Sequence, residues 1–313
     1  MTKKADNYSS GRISLRFRKY AGLYVLLAPV LVWMFIFCYV PMYGAIIAFK
    51  EYRFLDGIIK SPWADQYGFK YFIRFFESYQ SLRVLGNTII ISFYKLIFAF
   101  PAPIILALLL NEVRNLKFKR IVQTMSYLPH FMSWIVISAL IIEVLNPVNG
   151  LLNAIIVAIG GKSTAFLMEP KYFRTILVLS SIWKEIGWGS IVYLAAISSI
   201  DVEMYEAADI DGASRFRKAW SITLPSIIPV IVILFILRIG GFLNAGFDEV
   251  LNLYNPAVYD VGDIIDTYVY RVGLQDMRFS YSAAIGLFKN VIGAILLVFT
   301  NIVTKAMSGS GIW

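Results

Sequence analysis

The chain is short of the residues that most protein chemistry relies on. Its 313 residues include one cysteine, Cys38, and one histidine, His130. A single cysteine excludes an internal disulfide framework, and its place inside an apolar block reads as a small buried hydrophobe. A histidine without Cys or His partners is a poor metal ligand, so His130, next to a proline, reads as a packed or pore-side residue. Charge is scarce too. Asp, Glu, Lys and Arg make up 16% of the chain, against about 25% in a soluble domain. No His-Glu-x-x-His pair, cysteine pair or Gly-x-Ser-x-Gly elbow occurs, so no enzyme site assembles from motifs. Gly161-Lys162-Ser163 has the ending of a phosphate-binding loop, but Ile156 stands where that loop needs glycine, and no strand precedes it. Asn7-Tyr8-Ser9 is a glycosylation sequon in form only, since it falls on the expected cytoplasmic side.

What is abundant is apolar. Hydrophobic residues make up 58% of the chain, gathered in blocks that exceed or approach the roughly 20 residues needed to cross a bilayer. The blocks are 21–49, 87–110, 122–145, 173–198, 226–247 and 281–305. They predict an all-α integral membrane protein with six transmembrane helices and both termini in the cytoplasm. The expected division is a basic cytoplasmic tail 1–20, a first transmembrane helix 21–49 and an extracytoplasmic cap 50–86. A core transmembrane domain 87–305 contains a polar cytoplasmic loop 200–225, and a tail 306–313 ends the chain. The first block is too long for a secretory signal and lacks a small-x-small cleavage site, so it reads as an uncleaved span.

The net charge of +9 does not call for nucleic acid. Its bases cluster at Lys3, Lys4, Arg12, Arg16, Arg18 and Lys19, at Arg114, Lys117, Lys119 and Arg120, and at Arg215, Arg217 and Lys218. That is the positive-inside pattern of cytoplasmic segments beside membrane lipid. Pro29, Pro41, Pro101, Pro103 and Pro129 interrupt spans, and the carbonyls they free need partners inside the protein.

One polar segment lies between two apolar blocks: YEAADIDGASRFRKAWSITLPS, Tyr205–Ser226. Asp201 is a good N-cap for a helix to about Asp211, and Gly212 suits the left-handed residue that ends it. Ser214 caps a second short helix, which Pro225 is expected to separate from the fifth span. Ala207, Ala208 and Ala213 keep the surface low enough for another backbone to approach. Glu206 offers a carboxylate to an arginine. The residues alone equally allow a solvated loop whose acids pair with Arg215 and Arg217.

The spacing Glu206-Ala207-Ala208, then Gly212, then Ile222-x-Leu224-Pro225 resembles the EAA signature of permease subunits of binding-protein-dependent ABC importers. Asp211-Gly212-Ala213 and WSITLP resemble the carbohydrate-uptake branch. PMYGAIIAFKEY, FPAPIILALLLNEVRN, YLPHFMSW, IWKEIGWGSIVYLAAI and LYNPAVYDVGDIIDTYVYRVGL resemble one subgroup, which imports oligosaccharides released from complex polysaccharides and has relatives that take up alginate. The likeness runs from about residue 20 to Trp313.

The resemblance implies the type I ABC importer permease fold, with 200–225 as a coupling loop seated on an ATPase subunit. Glu206, Ala207, Ala208, Asp211, Gly212, Ala213, Leu224 and Pro225 would form the coupling surface. It also implies a second permease subunit, two ATP-binding subunits and an extracellular solute-binding lipoprotein. ATP and Mg2+ would sit on the ATPase partners, with no cofactor on this chain.

Ionisable residues inside spans are functional candidates by default. Lys95, Lys184, Glu185, Arg238 and Lys289 qualify. Lys184 and Glu185 are adjacent and point in different directions, so one can face a cavity while the other pairs with a neighbour. Trp183, Trp188 and Tyr193 share their span and offer flat faces suited to sugars. Asn244 and Asp248, at the expected outer end of the fifth span, are candidate hydroxyl partners. Four cationic side chains in spans, against Glu143 and Glu185, raise the expectation of an acidic, uronic-acid-containing cargo. A peptide permease of the same class and an ion-gradient carrier are the competing readings, although no inverted repeat supports the second. Substituting Glu206→Ala and Gly212→Val separates the mechanisms. An ATP-coupled permease is expected to lose ATPase association or uptake, measured by co-purification and transport, whereas a gradient-driven carrier keeps both.

Overall fold

The computed structural model describes residues 20–308 and 311–312. The amino-terminal bases from Lys3 to Lys19, the sequon and part of the carboxyl-terminal tail lie outside the described residues. The chain divides into two compact units, Met1–Lys70 and Tyr71–Trp313. Among the described residues there is no strand, only an isolated antiparallel bridge between Lys50 and Trp63.

The first unit is built on α1, Ala21–Phe49. None of the residues in its apolar window is buried, and Cys38 is exposed rather than buried. An exposed apolar helix offers its surface to lipid or to another chain, so Cys38 does not show the burial expected of it. After α1 the chain folds back on itself. Lys50 donates to the carbonyls of Ile58 and Ile59, both at 2.8 Å, beside the short α2, Gly57–Lys60. Lys70 donates to Asp65 at 2.8 Å and to Glu51. These two carboxylates hold its ammonium above the usual lysine range.

The second unit opens with α3, Lys70–Glu77, which starts on the last residue of the first. Next come α4, Tyr79–Glu112, then α5, Leu116–Phe131, and α6, Trp134–Val144. They are followed by α7, Leu151–Ala158, and α8, Pro170–Ser198. The polar segment supplies α9, Val202–Ile210, and α10, Arg215–Gly240, follows. Three short helices, α11 (Phe247–Leu253), α12 (Tyr259–Gly262) and α13 (Ile265–Tyr270), precede the long α14, Phe279–Ser308.

By length and composition α1, α4, α10 and α14 can each cross a membrane, and α5 with α6 forms a bent pair. The block 122–145 is therefore not one straight span: α5 and α6 meet at 107°. Pro129 sits in the tight last turn of α5, and Ser133 starts α6 by accepting a hydrogen bond from the Val136 amide. The block 226–247 also changes. Its helix begins at Arg215, ends at Gly240, and leaves Asn244 and Asp248 outside it. α8 is 29 residues long and carries Lys171, Arg174, Lys184 and Glu185.

Unlike Pro129, the prolines of α1, α4 and α10 do not break their helices. Wide, i+5 turns occupy Phe35–Tyr39, Lys95–Ala99 and Ala219–Thr223. Each ends two residues before a proline: Pro41, Pro101 and Pro225. The extra residue makes room for the proline ring and pairs carbonyls that would otherwise be orphaned. Thus Phe100 N–H donates to the Lys95 carbonyl at 3.1 Å, and Leu224 N–H to that of Ala219. Pro225 accordingly does not separate the second short helix from the fifth span; the two are one helix.

Three apolar clusters hold the second unit. One joins Ile91 of α4, Phe173 and Leu177 of α8, and Val250 and Leu253 of α11. Another joins Phe75, Val84, Tyr268 and Ile285, and a third Ile104, Tyr193 and Ile227. Between lipid-surrounded helices the hydrophobic effect offers little net drive, so close backbone approach at small residues matters more. α8 uses this against α5. A β-carbon on Gly187 would lie 2.1 Å from the Ser126 carbonyl oxygen. Gly187→Ala is therefore expected to destabilise the unit by about 1–3 kcal/mol through overpacking. Gly286→Ala, with nothing within 4 Å of the added carbon, should leave the unfolding temperature in detergent unchanged.

Candidate functional site

Two places gather chemistry: the polar segment 200–225 and a cavity walled by α4, α6, α8, α10 and the stretch after α10.

In the polar segment, the Asp201 carboxylate accepts from the Glu203 amide at 3.0 Å and starts α9. Gly212, at φ +70°, ends it, with Ala213 N–H donating to the Ala208 carbonyl at 2.9 Å. The Ser214 hydroxyl accepts from the Arg217 amide at 3.3 Å and starts α10. Tyr205 and Thr223 join the two helices through their hydroxyls, 2.9 Å apart. Acids of the segment do not pair with Arg215 or Arg217. Lys218 holds Asp209 at 2.7 Å, while Arg215 lies 4.0 Å from Glu112 of α4.

Glu206 and Asp211 are exposed and make no side-chain hydrogen bond or ion pair among the described residues. Ala208, Asp211, Ala213 and Arg217 line a shallow concavity of about 230 Å3. Ala207 is exposed beside it, Leu224 is half-buried and Pro225 is exposed. Around them Ile210, Phe216 and Trp220 are exposed as well. The surface thus combines free carboxylates, small residues and bare apolar rings.

The cavity has a volume of about 600 Å3, within the usual size of small-ligand clefts. In its wall Lys95 of α4 pairs with Glu249 of α11, their side chains 3% and 0% exposed. Lys95 also donates to the Ala245 carbonyl at 2.8 Å, and the Ser180 hydroxyl donates to the other Glu249 oxygen at 2.5 Å. Each Glu249 oxygen thus has a donor, and the Lys95 ammonium has two acceptors. Across the wall, His130 Nδ1 and Glu185 Oε2 lie 2.9 Å apart. The His130 ring stacks on Trp188 at 4.6 Å, inclined by 3°.

Of the candidate cavity residues, Glu185, Trp188, Tyr193 and Asn244 line this space. Lys184 turns the other way. It donates to the carbonyls of Met132 at 2.5 Å, His130 at 2.9 Å and Pro129 at 3.3 Å, satisfying acceptors left bare where α5 breaks. Trp183 lines a separate apolar cavity of about 340 Å3 with Leu140 and Ile176. Asp248 is exposed and is not in the wall.

Residues 99–309 match the family described as binding-protein-dependent transport system inner membrane component. The chain belongs to this family of ABC importer permeases. Protein LplB of Bacillus subtilis is 46% identical over 93% of this chain and 91% of its own length. The Bacillus subtilis polygalacturonan/rhamnogalacturonan transport system permease YteP is 45% identical over 96% of this chain and 93% of its own. A chain in the crystal structure of a bacterial alginate ABC transporter, in complex with an alginate pentasaccharide-bound periplasmic protein, superposes with a TM-score of 0.88. That chain is 39% identical, with 96% of this chain and all of that one covered. The permease is therefore a multi-pass membrane protein with the type I importer fold, and it belongs to a transport family rather than a catalytic one.

The sequence alone does not single out Glu249, Ser181 or Trp134 of this permease as cavity residues. Glu249 and its neighbour Asp248 are indistinguishable in sequence, because only the direction of a seven-residue helix separates a buried acid from an exposed one. Gly246 was the available signal. At φ +99°, a β-carbon there would come 2.7 Å from Lys95 Nζ, so glycine is required beside the ion pair. Glu249→Ala strands the buried Lys95 ammonium and is expected to cost the permease roughly 3–5 kcal/mol. Replacing both partners, Lys95→Met with Glu249→Met, should recover much of that loss in thermal unfolding.

Proposed function

We propose that this chain is the membrane-spanning permease of an ATP-driven importer of acidic oligosaccharides, which an extracellular solute-binding lipoprotein delivers. The observation that carries the reading is likeness at 39–45% identity, over more than nine-tenths of the chain, to transporter chains named for alginate and for polygalacturonan/rhamnogalacturonan. Those polymers are rich in uronic acids.

The six crossings are α1, α4, α5 with α6, α8, α10 and α14. α8 crosses despite its charge because Lys184 is spent on internal carbonyls and Glu185 faces the cavity. Basic clusters at both polar connections, and an even count, put both termini in the cytoplasm of a bacterium, with the chain in its inner membrane. A second permease completes the cavity wall. Two ATPase subunits carry ATP and Mg2+, and this chain binds neither.

α9 is the coupling helix. Glu206 is free to meet a basic residue of the ATPase. Gly212 supplies the turn, and Asp211, Ala208 and Ala213 shape the concavity that the partner fills. Ile210, Phe216 and Trp220 give the docked surface its apolar contact. Closure of the ATPase pair then moves α9 and the continuous α10, whose far end reaches the cavity.

The test is the complex reconstituted in proteoliposomes with its delivery protein. ATP hydrolysis is expected to rise several-fold with oligogalacturonate and to stay at its basal rate with neutral maltooligosaccharides. Stimulation by neutral sugars alone defeats the acidic reading, and indifference to every oligosaccharide defeats the whole proposal.

A further inference from the structure

The second unit carries many cations at the depth of its helices, and almost all are internally satisfied. Lys95 is held by Glu249 and a carbonyl. Lys184 is held by three carbonyls, Lys289 by Asp266 at 2.5 Å and Arg271 by Asp263 at 2.5 Å. Arg174 donates to the Val261 carbonyl and to Asn87. The raw count of bases in spans is therefore no guide to the cargo. These charges belong to the scaffold.

Arg238 is different. It stands in the last turn of α10, lines the 600 Å3 cavity, and among the described residues its side chain has no hydrogen bond or ion pair. Of the other ionised groups of the wall, Lys95 and Glu249 pair with each other and Glu185 lies against His130, while the Glu185 and Glu249 carboxylates act on Arg238 only beyond ion-pair distance. We propose that Arg238 is the specificity-determining residue of the cavity, gripping a carboxylate of the passing sugar acid. This deepens the reading of the chain as an importer of acidic oligosaccharides and rests on it.

Three features of the wall support the assignment. A guanidinium presents two parallel N–H donors that match a carboxylate, which a lysine cannot do. Trp188, Tyr193 and Trp134 share the wall and offer flat faces to the apolar sides of sugar rings. Asn244, also in the wall, has an amide left for a hydroxyl. A neutral sugar that displaced water from Arg238 would leave its donors unpaired at a cost, whereas a uronate returns a full charge-assisted pair. The Lys95–Glu249 pair beside it is neutral overall and Glu185 lies against His130, which leaves Arg238 as the cation of the wall without a hydrogen-bonded or ion-paired partner among the described residues. The competing role for Arg238 is structural, a cation at the carboxyl end of a helix that merely offsets its dipole.

The experiment uses the full importer in proteoliposomes with its delivery protein. Uptake of labelled trigalacturonate is compared with uptake of its methyl ester, each at concentrations that saturate the delivery protein. In Arg238→Gln the ratio of acid to ester uptake per ATP hydrolysed is expected to fall at least tenfold, and in Arg238→Lys about threefold. An unchanged ratio overturns the proposal, including the case in which both uptakes fall together, as a purely structural role requires. If Arg238→Gln does not assemble, Arg238→Lys decides alone, and an unchanged ratio there overturns it equally. Failure of the wild-type complex to move either trisaccharide would instead strike the acidic-oligosaccharide reading itself.

Discussion

The cavity depends on the buried contact between Lys95 and Glu249. It joins α4 to the stretch after α10, and Ser180 adds α8 to the same knot. An ion pair at this depth is tolerable only when its geometry is close and further hydrogen bonds support both charges, because the desolvation of each charge otherwise exceeds the attraction. Here the remaining Glu249 oxygen takes the Ser180 hydroxyl, and the Lys95 ammonium takes the Ala245 carbonyl. Three separate segments thereby share one polar constraint. The non-helical run 241–246, which carries Asn244 into the wall, is held in place by it.

The same economy governs the breaks in the helices. A proline inside a lipid-exposed helix leaves a carbonyl that water cannot reach. At Pro41, Pro101 and Pro225 the chain answers with a wide turn just upstream. At Pro129 it answers with a sharp bend whose bare carbonyls are taken by Lys184. One lysine thus does for the bent pair α5–α6 what a wide turn does elsewhere. The adjacent Glu185 is left facing the cavity beside His130 and Trp188.

Much of this was legible from residues alone. The helix–turn–helix of 200–225 was readable because its signals are local: Asp201 and Ser214 cap, Gly212 turns, and each acts through neighbours within four residues. The approximate places of the long helices followed from composition for the same reason. Legibility failed where a distant partner chooses. Pro225 has the same sequence context whether it ends a helix or is absorbed by a wide turn. Asp248 and Glu249 are equivalent acids until Lys95 arrives from α4. Trp183 and Trp188 lie on one apolar helix, and only the packing of α8 sends one to a separate apolar cavity and the other to the cavity wall. Cys38 reads as buried only if α1 packs against its own chain.

The sequence by itself determined that this is a helical membrane protein and where its polar helix–turn–helix segment lies. Hydrophobic length and capping chemistry are short-range properties that need no knowledge of the fold. Tertiary structure decided which charges are spent and which remain available. Lys95, Lys184, Arg238 and Lys289 look alike along the chain, since each is a base in an apolar helix. Three find carboxylates or carbonyls brought by other segments, and Arg238 faces the cavity with no hydrogen-bonded or ion-paired partner among the described residues, because pairing over such separations is a property of packing and not of neighbours in sequence.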